Sequence, residues 1–193
     1  MSKSVPAIRS VKARSIVVPL ARPVKNAFGV IDVGPLVLID VETDQGITGH
    51  SYIFAYARMT VKPLVHLIEE IGRELTGRPV APYDLMATMD AKFRLLGWQG
   101  LVGMAVSGLD MAYWDALGQI AGRPVAELLG GSARPIKAYD SYGVVDPTAD
   151  ERALRRSLEQ GFRGIKSRAA MAMPPMTSGS SRACAPCSAL TLR

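Results

Sequence analysis

Histidine and cysteine are scarce: the 193-residue chain has two of each. His50 and His66 stand alone, so core or surface roles suit them better than metal ligation. Cys184 and Cys187 form a Cys-x-x-Cys near the C-terminus, with no second pair and no nearby histidine to complete a zinc or redox site. No apolar run approaches the roughly 18 residues that suggest a membrane span. The longest, Gly34–Asp40, has the length of a strand. Lys3 is not followed by an apolar block and a small-residue cleavage site, so no secretory signal is read and a cytoplasmic location is the default. The net charge of +6 is spread among acids, with no basic run longer than Arg155-Arg156. That pattern describes a solvated mixed surface and argues against nucleic acid as a partner.

What is present is a soluble-protein composition, 48% hydrophobic and 21% charged. Ile8–Leu20, Leu36–Glu42 and Ile47–Ile53 are rich in β-branched residues, and Asp44-Gln45-Gly46 is turn chemistry. They predict a three-stranded antiparallel meander. Ala21–Gly34, polar and glycine-containing, is expected to be a mobile loop. Thr60 can cap a helix to about Leu75 in which Leu64, Leu67, Ile68, Ile71 and Leu75 follow helical spacing. Asp84 can cap a second helix, with Leu85, Met89 and Phe93 on one face. Leu101–Ile120 is a third, whose Gly103, Ala105, Ser107, Gly108 and Ala112 permit close packing. Glycine inside a helix costs about 1 kcal/mol against alanine, so a packing reason is expected. Pro124–Leu129 is a short fourth helix. The order of elements predicts an α+β class: a meander followed by a helical bundle. From Pro135 the pattern changes to a strand at Ile136–Tyr139, a helix capped by Asp146, and a strand at Arg163–Ser167. This is a βαβ unit, the opening step of a parallel sheet or barrel.

Gly108–Gly118, with the sequence Gly-Leu-Asp-Met-Ala-Tyr-Trp-Asp-Ala-Leu-Gly, is followed by Gly122-Arg-Pro, Leu128-Leu-Gly-Gly and a segment ending in Lys166-Ser-Arg168. This order resembles the mandelate racemase/muconate lactonizing branch of the enolase superfamily, from about Ile8 to Arg168. The resemblance implies an enolase-like N-terminal capping domain over residues 1–134 and the first elements of a β/α barrel over 135–168. It implies abstraction of the proton α to a carboxylate, in a racemase or an acid-sugar dehydratase, through an enediolate stabilised by Mg²⁺. The implied partner is a small α-hydroxy or sugar acid. Val24, Phe28 and Ile31 match pocket-lining positions on a specificity loop, Tyr56 matches a pocket residue on a second capping loop, and Ser141 matches a residue near the substrate carboxylate. Lys166 and Arg168 align with the family's Lys-x-Lys, whose second lysine is a base for one enantiomer. Arginine keeps its proton above about pH 12, so Arg168 is expected to bind or polarise.

Asp110 and Asp115 could pass for a catalytic pair, but five residues on a helix turn them about 140° apart, which suits packing or ion-pair roles. Trp98 and Trp114 read as core or interface residues. A complete barrel needs about 200–250 residues, far more than follow Arg134. The resemblance places the acidic metal ligands and the opposing histidine on later strands, and no Asp, Glu, His or Lys follows Arg168. The expectation is therefore a truncated chain, inactive alone, that holds no Mg²⁺. Its orphaned capping surface could self-associate. The alternative is a non-catalytic binding or interaction module. Residues 169–193, dominated by Ala, Ser, Pro and Met, are expected to be a disordered or out-of-frame tail. Back-translated and read one base earlier, Met171, Met173 and Met176 each become Tyr, Asp, His or Asn. The acids that the tail lacks can then return, as a frameshift would require.

Overall fold

The computed structural model describes residues 5–26, 29–168 and 188–191. The chain divides into two compact units. One holds the residues up to Pro19 with Val33–Ala133, and the other holds Leu20–Asp32 with the residues from Arg134 onward.

β1 (Ile8–Asn26), β2 (Gly29–Thr43) and β3 (Thr48–Phe54) lie side by side in chain order; β3, β1 up to Pro19 and β2 from Val33 belong to the first unit. The β2–β3 register runs antiparallel from Leu36 opposite Phe54 to Glu42 opposite Thr48. Alternation sorts the faces. Val37, Ile39 and Val41 are buried, whereas Asp40 and Glu42 project to a polar face. There Arg14 and His50 reach Asp40, and Ser10 and Lys12 reach Glu42. The paired residues climb β1 as they descend β2, as antiparallel neighbours must.

The buried face meets α1 (Arg58–Leu75) and α3 (Leu101–Ala121), while α2 (Pro82–Lys92) and α4 (Val125–Leu128) pack on α3. Val61, Leu64, Ile68, Ile71 and Leu75 form the buried stripe of α1 at alternating steps of three and four. The small residues of α3 have the expected packing reason. A Cβ on Gly108 would come 2.4 Å from Ile39 Cδ1, and one on Gly49 of β3 would come 2.1 Å from the Ala112 carbonyl oxygen. At Gly49 backbone therefore approaches backbone, and at Gly108 the helix backbone sits directly on the Ile39 and Ile53 side chains.

In the second unit, β4 (Asp140–Val144), α5 (Glu151–Glu159) and β5 (Gly164–Arg168) form the βαβ unit, with β4 and β5 parallel. β6 (Ser188–Thr191) pairs antiparallel with β5.

Several expectations need correction. Ala21–Gly34 is not a loop: apart from residues 27 and 28, which lie outside the described residues, it continues β1 and β2. Strand pairing satisfies its backbone groups more fully than a loop would. Ile136–Tyr139 is not a strand. The ladder to β5 starts at Asp140 opposite Ile165, so the residues upstream have no partner strand. Thr60 is not a cap, since α1 begins at Arg58 after Ala57. Asp146 closes the turn before α5, accepting from the Thr148 and Ala149 amides. The tail, expected to lack structure, contributes β6, which pairs the free edge that β5 would otherwise leave open. The remainder of 169–193 lies outside the described residues.

Candidate functional site

Ser141 stands directly opposite Lys166 in the β4–β5 ladder. Neighbouring residues of a parallel pair point to the same side, and alternation puts Arg168 on the side of Lys166. The structure thus gathers Ser141, Lys166 and Arg168 on one face of the pair. The Lys166 ammonium lies 5.8 Å from the Tyr139 ring centroid. The opposite face carries buried Tyr142 and Ile165, and α5 covers it through a 2.7 Å bond between the Tyr142 and Ser157 hydroxyls. One hydroxyl, one ammonium and one guanidinium on a common face can hold a carboxylate by charge-assisted hydrogen bonds.

Val24 on β1 and Ile31 on β2 are both half-buried, while Phe28 lies outside the described residues. Two residues before Val24, Arg22 donates a fork to Asp140: Nη1 to Oδ2 at 3.2 Å and Nη2 to Oδ1 at 3.0 Å. Nη2 also reaches the Ser141 carbonyl oxygen at 3.2 Å, and the guanidinium lies 3.8 Å from the centroid of the Tyr142 ring. The Ser157 hydroxyl donates to Asp140 at 2.6 Å and accepts from Tyr142. The Arg22 fork is the main reason that the Asp140 carboxyl is held below the usual carboxylate range, and the Arg22 guanidinium is pushed up in return. Sequence reading missed this cluster. Arg22 and Asp140 are 118 residues apart, and no spacing rule connects them.

In the first unit, Tyr56 follows β3 and adopts a φ of +58°, the one non-glycine residue with positive φ among those described. Across Tyr56 the Ala57 amide donates to the Ala55 carbonyl oxygen at 2.6 Å, and the Thr60 hydroxyl lies 2.6 Å from that oxygen and 2.7 Å from that of Ala57. The Tyr56 ring is exposed and meets Phe54 edge to face at 4.9 Å. With Tyr52, Trp98, Met104, Ser107 and Met111 it lines an open cleft of about 580 Å³. Strained backbone of this kind concentrates at functional positions, and the aromatic and thioether lining suits an apolar group.

The remaining acids have structural partners. Asp115 accepts from the His50 amide and from Gln119, both at 2.8 Å, and so ties α3 to β3. Burial pushes the Asp110 carboxyl up, and a hydrogen bond from Trp114 works against it. His50 is not isolated, since its Nδ1 lies 2.8 Å from Asp40. Among the described residues no three His, Cys, Asp or Glu side chains converge as a metal site. The face bearing Ser141, Lys166 and Arg168 is cationic, and nearby Asp140 is already committed to Arg22 and Ser157. These groups do not fit a hard divalent cation, which requires several free oxygen ligands. No helix among the described residues is long and apolar enough to cross a membrane.

Comparison with known proteins bears on the fold and on the Gly108–Gly118 helix together. A crystal structure of an enolase from Bradyrhizobium, complexed with magnesium and mandelic acid, is 69% identical with a TM-score of 0.82, covering 88% of this chain and 47% of its own. D-galactonate dehydratase of Variovorax paradoxus is 37% identical over 134 residues, covering 66% of this chain and 33% of the relative. Arabinonate dehydratase of Saccharolobus solfataricus is 30% identical over 141 residues, covering 68% and 36%. The chain therefore spans about a third of these curated relatives and just under half of the solved structure. Residues 8–130 match the N-terminal domain of mandelate racemase/muconate lactonizing enzymes. A match over most of the chain, across the residues that form the three-strand sheet and α1–α4, makes this protein a member of the mandelate racemase/muconate lactonizing enzyme family of the enolase superfamily.

Proposed function

We propose that this chain supplies the capping domain and first barrel elements for chemistry at the α-carbon of a small hydroxy or sugar acid, of the racemase or acid-sugar dehydratase kind. The observation that carries this reading is the common face of Ser141, Lys166 and Arg168. Ser141 and Arg168 hold the substrate carboxylate, and Lys166 adds positive charge beside it. Arg168 binds and does not abstract, because a guanidinium keeps its proton. Val24, Phe28, Ile31 and Tyr56 remain specificity candidates on the family resemblance; Val24 and Ile31 are half-buried strand residues. Mg²⁺ would stabilise the enediolate in a full-length enzyme, as the magnesium of the Bradyrhizobium structure suggests by analogy. The described residues of this chain offer it no ligand set, which supports the reading that these 193 residues do not turn over by themselves. The composition break after Arg168 supports an out-of-frame origin for 169–193, which genomic sequence downstream of codon 193 tests. Exposed Tyr52, Tyr56 and Met111 around the open cleft support self-association, readable by sedimentation.

The decisive experiment titrates the chain with mandelate and with D-galactonate in D₂O with Mg²⁺, following NMR shifts and loss of the α-proton signal. Weak saturable binding that is lost in Lys166→Ala and Arg168→Ala, without exchange, is expected. Clear α-proton exchange overturns the inactivity, and absence of binding overturns the carboxylate site.

A further inference from the structure

We infer that Arg22 is a positioning residue that pins the far end of the β1–β2 hairpin to β4, making that end a docked wall in place of a free loop. The pin has two independent contacts. The first is side chain to side chain: both Arg22 Nη atoms bond Asp140, one also bonds the Ser141 carbonyl, and the guanidinium plane stacks on Tyr142. The second is backbone to backbone: a Cβ on Gly143 would come 1.9 Å from the Lys25 carbonyl oxygen. Only glycine at 143 lets the hairpin strand lie this close to β4.

Ordinary surface ion pairs contribute little because water competes and long side chains must be immobilised. This one differs in three respects. The Asp140 side chain is only 18% exposed. Its carboxylate is already oriented by Ser157, which is itself 2% exposed. The planar fork also uses the ring face that Tyr142 presents, a contact that lysine reproduces poorly. Removing Arg22 leaves a half-buried carboxylate without its cation, so the hairpin end loses its main directional contact with β4.

The consequence for substrate rests on the function proposed above. Val24 shares Arg22's side of β1, and Ser141 receives the third Arg22 bond through its carbonyl. Arg22 thereby sets the spacing between an apolar pocket residue and a carboxylate-binding one before any ligand arrives.

Amide hydrogen exchange on the 193-residue chain tests the pin without substrate. Arg22→Ala is expected to speed exchange in residues 20–26 and 140–144 by about tenfold or more, the range a charge-assisted bond supplies, with α1–α3 unchanged. Asp140→Asn should act alike, and the double variant should loosen the hairpin no more than either single one. Arg22→Lys should restore little of the protection. Exchange in Arg22→Ala within about twofold of the parent, or single effects that multiply in the double variant, overturns the inference. Should Arg22→Ala not fold, Gly143→Ala replaces it: loosening confined to the same two segments supports the pin, and unchanged exchange there overturns it. A failure to bind hydroxy acids leaves this result untouched, so the two readings fail separately.

Discussion

Ile39, Leu64, Ile68 and Leu109 of the first unit are wholly removed from water, whereas the buried side chains described in the second are Tyr142, Ser157 and Ile165, two of them hydroxyl-bearing. Apolar burial is non-directional and sums over many contacts, so the first unit has a shared core that every layer supports. The second unit is held by directed bonds among Arg22, Asp140, Tyr142 and Ser157, each needing its partner in place. Damage to the first should spread through the whole unit, and damage to the second should stay local.

The largest break should come in the core. Leu64→Ala or Leu109→Ala removes a side chain with no exposure and should cost about 2–5 kcal/mol, read as a lowered melting temperature and faster exchange throughout α1–α3. Ser157→Val comes next. It deprives the Tyr142 hydroxyl and the Asp140 carboxylate of a partner, and should cost about 1–3 kcal/mol, seen as exchange in residues 140–144 while α1–α3 hold. If the first unit loosens equally, the contrast between the two units is wrong. Tyr56→Gly should act in the opposite direction on stability. It relieves a positive φ worth about 1 kcal/mol while deleting the ring from the cleft, so melting should rise slightly as apolar-ligand binding weakens.

Acid offers a further, milder probe. Arg22 holds the Asp140 carboxyl below its ordinary range, so the contribution of this group is present above the unfolded carboxyl pKa and is lost as pH falls through the folded one. Tyr142 and Lys25 are the other titratable residues beside this contact. Protection of residues 20–26, corrected for intrinsic exchange, should therefore hold at pH 5 and decline on acidification below about pH 4. Arg22→Ala should flatten that profile.

Much of this was legible in the sequence because local periodicity carries it. The α1 stripe, the small residues of α3 and the βαβ order each follow from residues a few positions apart. The signature around Asp110–Asp115 located the family, and Ser141, Lys166 and Arg168 came together as their places on β4 and β5 required. The hairpin end was misread because Ala21–Gly34 lacks an apolar alternation. Its extension depends on strand pairing and on Asp140, far along the chain. The Tyr56 backbone was equally silent: Thr60 looks like a helix cap in sequence, and only in three dimensions does its hydroxyl span the Ala55 and Ala57 carbonyls.

The meeting of Gly49 with the Ala112 carbonyl has a mechanical corollary. Where main chain touches main chain, little empty space remains for compression to eliminate. Hydrostatic pressure unfolds proteins by collapsing internal voids, so this seam should be among the last parts of the first unit to yield in a high-pressure cell, even where heat or urea opens it readily.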